Sequence, residues 1–362
     1  MRKYYLDNIR YFTIIMVVLY HLIYMYNGQT KPGALGPFSK NQIQDVFQYI
    51  TFPWIMTILF IISGISSNFY LKISNNFISD RTNKLLVPSI FGLFIYGWAQ
   101  GYINILLYGS ISTIPKNLNK FAIYLIYCIS GTGVLWFNHL LWIYSILLVL
   151  IIKFEKNTIH NLFKNINFII ILLLGFGLWL SAKFLNTPTL IYYRVGIYCY
   201  SYLIGYFIFS HETNIKYIES NYILFSILSF IFGFLYISKF YGEDYTSKEI
   251  FGNILSILYS WFTSLSIFGI AKKFFDKEFI FTKFMKDKSY GIYIFHYLIL
   301  TSTAYYLYNY TKLSAIFQYI LVLCSSLIGS ILLFEIISKI PFINWLVLGL
   351  TNKKINKMKK LS

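Results

Sequence analysis

Charge is scarce in this sequence, and acidic charge scarcest of all. Only 12% of the 362 residues are charged, and 13 Asp and Glu face 31 Lys and Arg, for a net charge of +18; soluble domains carry about 25% charged residues. Cysteine is also sparse. Cys128, Cys199 and Cys324 lie far apart in apolar stretches, which excludes a disulfide framework and a paired metal or redox motif and leaves them as small buried hydrophobes. No low-complexity linker, long soluble insertion, phosphate-binding loop or metal-ligand spacing occurs. No internal repeat is visible either, which disfavours transporters built from duplicated halves. What is abundant is apolar surface: 57% of residues are hydrophobic, 21% are aromatic, and the mean hydropathy is +0.60. One soluble core cannot hide that much, so lipid is the solvent for most of the chain. The basic excess, which alone would suggest nucleic acid, then reads as loop charge on the cytoplasmic side, and no nucleic acid is expected as a partner.

Ten apolar segments of near-spanning length follow one another, near residues 6–27, 47–71, 85–108, 134–152, 166–184, 190–210, 222–241, 250–271, 289–308 and 314–337. The first resembles a signal peptide, but its length, its Arg10 and His21, and the lack of a small-residue cleavage site make it a membrane helix. Residues 118–129 form a further interfacial or re-entrant candidate, and Pro341–Leu350 is too short to span and is expected along the membrane surface. Placing both termini inside assigns 22 Lys and Arg to the inner side and nine to the outer, while Glu243, Asp244 and Glu249 cluster in one outer loop. The expectation is an all-α polytopic protein with about ten transmembrane helices, N-in and C-in. Residues 1–350 read as one integral-membrane domain and 351–362 as a basic cytoplasmic tail.

An ionisable group inside a span costs about 2.5–3.5 kcal/mol, so each is a functional candidate. Arg10 and His21 are eleven steps apart, which at about 100° per residue places them on one helix face about 16 Å apart along the axis. Asp7, three residues before Arg10, is placed to orient the guanidinium. Read alone, Arg10 equally suits a snorkelling interface cation and His21 a hydrogen-bonded packing histidine. A neutral imidazole with a partner is also suited to take a proton from an attacking hydroxyl.

The run Leu6-Asp7-Asn8-Ile9-Arg10 through Tyr20-His21 resembles the opening motif of the membrane-bound acyltransferase 3 family, within it most closely the glucan biosynthesis protein C branch. Further segments fit in order. Ser63-Gly64-Ile65 resembles a Ser-Gly element late in the second span, and Arg81-Thr82-Asn83-Lys84 followed by Pro88 an Arg-x-x-Arg element. Leu135-Trp136-Phe137 resembles a Leu-Trp-Phe span start, and Ser289 to His296 a late Tyr-x-Ile-Tyr-x-x-His segment. Phe334-Glu335-Ile336 running into Lys339-Ile340-Pro341 resembles the end of the succinyltransferase branch. The resemblance implies transfer of a short acyl group from cytoplasmic acyl-CoA to a carbohydrate, with His21 as the essential catalytic residue supported by Arg10. It also implies Arg81 and Lys84 engaging the donor. Lys84 departs from the pattern by replacing an Arg, which keeps the charge and loses the planar fork. His139 follows the Trp-Phe pair where many relatives place a His before it.

Arg81 and Lys84, spaced i and i+3, form a cationic pair for the phosphates of coenzyme A or ordinary inner-side charge. Ser63 and Gly64 leave room for a pantetheine arm or for close helix packing. His296 suits donor-site lining or structural hydrogen bonding, and His139 beside Trp136 suits acceptor contact or an interfacial role. Arg194 suits an acceptor hydroxyl array, an anionic group or outward snorkelling, and Tyr192, Tyr193 and Tyr198 could form a sugar-stacking wall. Glu335 is expected to form a structural pair with a cation such as Arg10 or Arg81, while His160 and His211 carry no signal. The leading expectation is a bacterial inner-membrane O-acyltransferase that uses acetyl-CoA or succinyl-CoA as co-substrate, binds no permanent cofactor or metal, and acts on a carbohydrate. A separate extracytoplasmic transferase and a homo-oligomer stay open as partners. A glycan or small-solute transporter or flippase is the alternative function, and a non-catalytic membrane scaffold a weaker third.

Overall fold

A computed structural model describes residues 3–29, 33–40, 42–108, 117–156, 158–186 and 194–350. Among these residues the secondary structure is helical throughout, with no strand. The principal helices are α1 (Tyr4–Met25), α2 (Val46–Leu71), α3 (Phe77–Leu107, with two π-helical turns), α4 (Lys120–Ser130), α5 (Trp136–Glu155) and α6 (Phe168–Ser181). They continue as α7 (Val195–Phe207), α8 (Glu212–Ser220), α9 (Tyr222–Phe240), α10 (Ile254–Phe274), α11 (Ile280–Tyr310), α12 (Ala315–Lys339) and α13 (Ile343–Leu348).

Seven helical segments among the described residues are long and apolar enough to cross a membrane: α1, α2 with its preceding turn, α3, α5 with its preceding turn, α9, α10 and α12. The other three expected segments are also helices. However, α6 and α7 have only 14 and 13 residues, and the 31-residue α11 opens on a lysine-rich stretch and is diluted by tyrosines and threonines. The outward faces of α9 and α12 carry exposed Ile223, Phe230, Phe234, Phe317, Ile328 and Leu332, as expected of surfaces solvated by lipid.

Glycines set close helix approaches at two crossings. A Cβ on Gly64 of α2 would stand 2.0 Å from the Tyr202 carbonyl oxygen of α7, and one on Gly205 would stand 2.2 Å from that of Ile61. Backbones therefore touch where these helices cross, in the manner of small-residue membrane interfaces. Gly97 and Gly101, one turn apart on α3, meet the end of α4 in the same way, a Cβ on Gly101 standing 1.8 Å from the Tyr127 carbonyl oxygen. The expected re-entrant candidate at 118–129 is thus a helix packed on α3. In α2, Pro53 has no N–H to give, and side chains of α10 bond the carbonyls around it: Tyr259 Oη to Ile50 O and Ser260 Oγ to Pro53 O, both at 2.7 Å.

Charged contacts gather at the end of the bundle where α1 begins. Lys3 and Lys272 bracket Glu212 at 2.5 and 3.0 Å, and Lys272 reaches Asp276 at 2.8 Å. Burial pushes the Glu212 carboxyl up, but the two ammonium groups outweigh it and hold it below the ordinary range. Nearby, the His160 and His211 rings lie 4.0 Å apart. His160 Nε2 faces the Asn68 amide nitrogen at 3.2 Å, and His211 Nε2 donates to the His160 carbonyl at 2.8 Å. Burial, with His211 and Lys72 close by, lowers the His160 pKa; burial also lowers that of His211.

One expected partner needs correction. Glu335 pairs with Lys288 rather than with Arg10 or Arg81, because α11 and α12 form an extensively packed antiparallel pair that brings these side chains together. The Pro341–Leu350 stretch, expected along the membrane surface, carries α13, which packs on the Asn83–Pro88 part of α3: Val347 and Leu348 are buried, Phe342 is exposed, and Trp345 Nε1 reaches Asn83 Oδ1 at 3.4 Å. The basic tail at 351–362 lies outside the described residues.

Candidate functional site

The line of α1 side chains that carries His21 also carries Ile14, Val17 and Tyr24, spaced three to four residues apart so that all face one way. They form one wall of an internal cavity of about 800 Å³, a size that admits a substrate rather than a few waters. Phe52, Ile55, Met56 and Leu59 of α2 supply a second wall with the same helical spacing, and Tyr293, His296 and Tyr297 of α11 a third. Trp136 and Tyr198 complete the sides, their rings stacked at 5.7 Å and 29°. At the end where α1 finishes, Arg194, Asp244, Thr246 and Lys248 line the same space.

His21 sits between two aromatic neighbours of α11. Its ring centroid is 5.5 Å from that of His296 and 4.7 Å from that of Tyr297. His296 is fully buried, and its Nδ1 lies 2.9 Å from the carbonyl oxygens of both Ile292 and Tyr293. A carbonyl oxygen can only accept, so Nδ1 carries the proton and Nε2 carries the lone pair. That Nε2 has no hydrogen-bond partner among the described residues. A buried acceptor thus stands next to His21, held in one tautomer by the backbone of its own helix.

Of the residues singled out in the sequence, His21, His296, Trp136 and Arg194 meet in this cavity. His296, for which the sequence leaves both donor-site lining and structural hydrogen bonding open, lines the cavity beside His21 and bonds backbone carbonyls of its own helix. Tyr198 of the expected aromatic wall is present, while Tyr192 and Tyr193 lie outside the described residues. His139 is buried in α5 but does not line the cavity.

Arg10, Arg81, Lys84, Ser63 and Gly64 lie toward the other end. Arg10 Nη2 donates to Ser66 Oγ at 3.1 Å and Nη1 reaches Asp7 Oδ1 at 3.4 Å, the i, i+3 pairing expected. Arg81 Nη2 donates to Ser67 Oγ at 2.8 Å, so two guanidinium groups converge on adjacent serines of α2. Ser67 Oγ is also 2.7 Å from Tyr202 Oη. Lys84 is exposed, its Nζ 4.9 Å from the centre of the Tyr70 ring. Ser63 Oγ donates to the Leu59 carbonyl of its own helix at 2.8 Å, and Gly64 is occupied by the α7 crossing.

Several lining residues carry no sequence signal that would have singled them out. Asn104, Asn186 and the Asp244–Lys248 segment reach the cavity through chain separations no local pattern reports. Tyr297 is the exception, since it directly follows His296 at the end of the late motif. Among the described residues no group of three His, Cys, Asp or Glu side chains is placed to hold a metal ion.

A helical bundle of this apolarity, with an internal cavity walled by two facing histidines, defines a multi-span membrane protein with a buried polar site. Residues 3–335 match the acyltransferase domain of the acyltransferase 3 family, and the chain belongs to that family. No curated protein and no solved structure gave a match.

Proposed function

We propose that the protein is an integral-membrane O-acyltransferase that moves an acetyl or succinyl group from acyl-CoA to a hydroxyl of a carbohydrate. The observation that carries the reading is the placing of His21 on the cavity wall beside the buried lone pair of His296. The acceptor hydroxyl oxygen attacks the thioester carbonyl, His21 takes the hydroxyl proton, and the carbon–sulfur bond breaks. The departing thiolate receives that proton, so ester and free coenzyme A result. In this scheme an approach of the two rings on substrate binding lets His296 Nε2 accept an N–H of His21 and orient the base, as the third group of a triad does; without substrate the ring centroids are 5.5 Å apart and Nε2 has no partner among the described residues.

The donor's phosphates fit the end marked by Arg10, Arg81 and Lys84, where the basic loops argue for the cytoplasm, and the acceptor fits the end marked by Arg194. This arrangement is the one expected of a bacterial inner-membrane enzyme, and a glucan-modifying branch of the family is the nearest pattern.

The test is purified protein in lipid nanodiscs with acetyl-CoA or succinyl-CoA, following release of the free thiol with and without carbohydrate. Acceptor-dependent release that vanishes in His21→Ala supports the assignment. Full transfer by that variant, or movement of glycan across liposomes without consumption of acyl-CoA, would replace it with the transporter reading.

A further inference from the structure

The cavity end farthest from Arg10 holds a cation, Arg194, that forms no ion pair among the described residues. Arg194 is only 7% exposed and begins α7 from a left-handed backbone conformation (φ 53°), which turns its side chain over the end of the cavity. Its Nη2 donates to the Thr246 carbonyl at 2.9 Å, and its guanidinium lies 3.8 Å from the centre of the Phe251 ring and 4.8 Å from that of Phe52. Its Nε has no hydrogen-bond partner among the described residues. Asn186, 6% exposed and lining the same space, leaves both its amide nitrogen and its amide oxygen without a partner among the described residues. Lys248 adds a second cation to this rim. Asp244 lines the same rim, its Oδ1 accepting from Thr246 N at 3.0 Å and Thr246 Oγ1 at 2.6 Å; two cations thus face one carboxylate there, and it forms no ion pair with either among the described residues.

A guanidinium taken out of water needs an anion or a full set of acceptors, and two ring faces with one carbonyl and the Tyr198 hydroxyl supply only part of that. A planar N–H fork with a free donor, beside an amide with a free N–H, matches the two oxygens of a carboxylate or phosphate. We propose that this rim is an anion subsite for the acceptor. The glycan carries a carboxylate or phosphate held by Arg194 and Asn186, while a nearby hydroxyl reaches His21. This rests on the acyltransferase reading for the role of His21. Assigning the anion to the acceptor rather than to a succinyl donor follows from its position, at the opposite end of α1 from the Arg10 and Arg81 pair.

The test measures binding first, so that it does not depend on turnover. Nanodisc-embedded protein is titrated with tetragalacturonate, tetra(glycerol phosphate) and maltotetraose by microscale thermophoresis. Both anionic probes are expected to bind at least ten-fold more tightly than maltotetraose, a preference that weakens as salt is raised. In Arg194→Gln the preference should fall below three-fold, in Arg194→Lys it should be intermediate because the charge remains without the fork, and in Asn186→Ala it should decrease. If Arg194→Gln does not yield folded protein by size exclusion, the Lys and Asn186 variants carry the test. Equal binding of charged and neutral probes, or a preference untouched by these substitutions, overturns the proposal. Thiol release with maltotetraose is then compared for the two donors. A selective loss of succinyl-CoA turnover in Arg194→Gln would assign the anion to the transferred group and overturn the acceptor assignment. Persisting anion preference with no acyl transfer to any probe would remove the acyltransferase reading and leave the subsite standing.

Discussion

His21 and His296 face each other with ring centroids 5.5 Å apart, although 275 positions separate them in the chain. Backbone carbonyls fix the tautomer of His296, leaving the lone pair on its Nε2, whereas no such bond fixes His21 among the described residues; the proposed reaction uses that difference by giving His21 the proton transfer.

Removing the imidazole of His21 should abolish acyl transfer. General-base catalysis contributes about 10²–10⁴ in rate, so His21→Ala is expected to lose at least that much kcat while keeping its membrane insertion and elution volume. Thiol-release kinetics and size-exclusion chromatography on the same preparation check both halves.

His296 is a positioning residue in this scheme. His296→Gln should lower kcat by about ten- to a hundred-fold with little change in KM, because the base loses its partner and not the substrate contact. It should also shift the acidic limb of the kcat–pH profile, a displacement that a purely structural defect would not produce.

Gly64 has no room for a side chain. Gly64→Ala already directs a methyl into the Tyr202 carbonyl, and relief requires α2 and α7 to separate. The cost is expected at about 1–3 kcal/mol, and more for Gly64→Leu, seen as lower melting temperatures in fluorescence-detected size exclusion.

Acid should destabilise the end of the bundle where α1 begins. His160 and His211 have lowered pKa values in the folded protein, so unfolding takes up protons once the pH drops below about 6.5. Their contribution is complete above that value and is lost as the pH falls toward the lowered native values. Melting temperature should therefore decline from pH 7 to pH 5.5, and His160→Asn combined with His211→Asn should flatten the decline. Glu212 loses its contribution in the same direction but in a lower window, below about pH 4.3, so the two effects separate.

The helices were largely legible because apolar runs of spanning length have few other uses, and the Arg10 to His21 spacing reported a shared face directly. The partners of those groups were not legible. That Arg10 would rest on Ser66 and Arg81 on Ser67, or that Lys288 would take Glu335, depends on which helices pack together, and apolar periodicity does not encode this for helices solvated by lipid on several sides. Ser63-Gly64 shows the converse. The small residues were visible, and only the crossing with α7 explains why Gly64 must be small.

Pro53 interrupts the hydrogen-bond ladder of α2 beside the cavity, and Tyr259 and Ser260 bond the surrounding carbonyls from α10. In an apolar medium the Tyr259 and Ser260 hydroxyls, once drawn off these carbonyls, find no water to replace them, so sliding or rotating α2 against α10 costs those bonds. The wall built from Phe52, Ile55, Met56 and Leu59 is therefore keyed to its neighbour in both height and rotation. The cavity takes its shape from a polar lock between two helices, and the surrounding lipid, which supplies no such bonds, has little leverage on it.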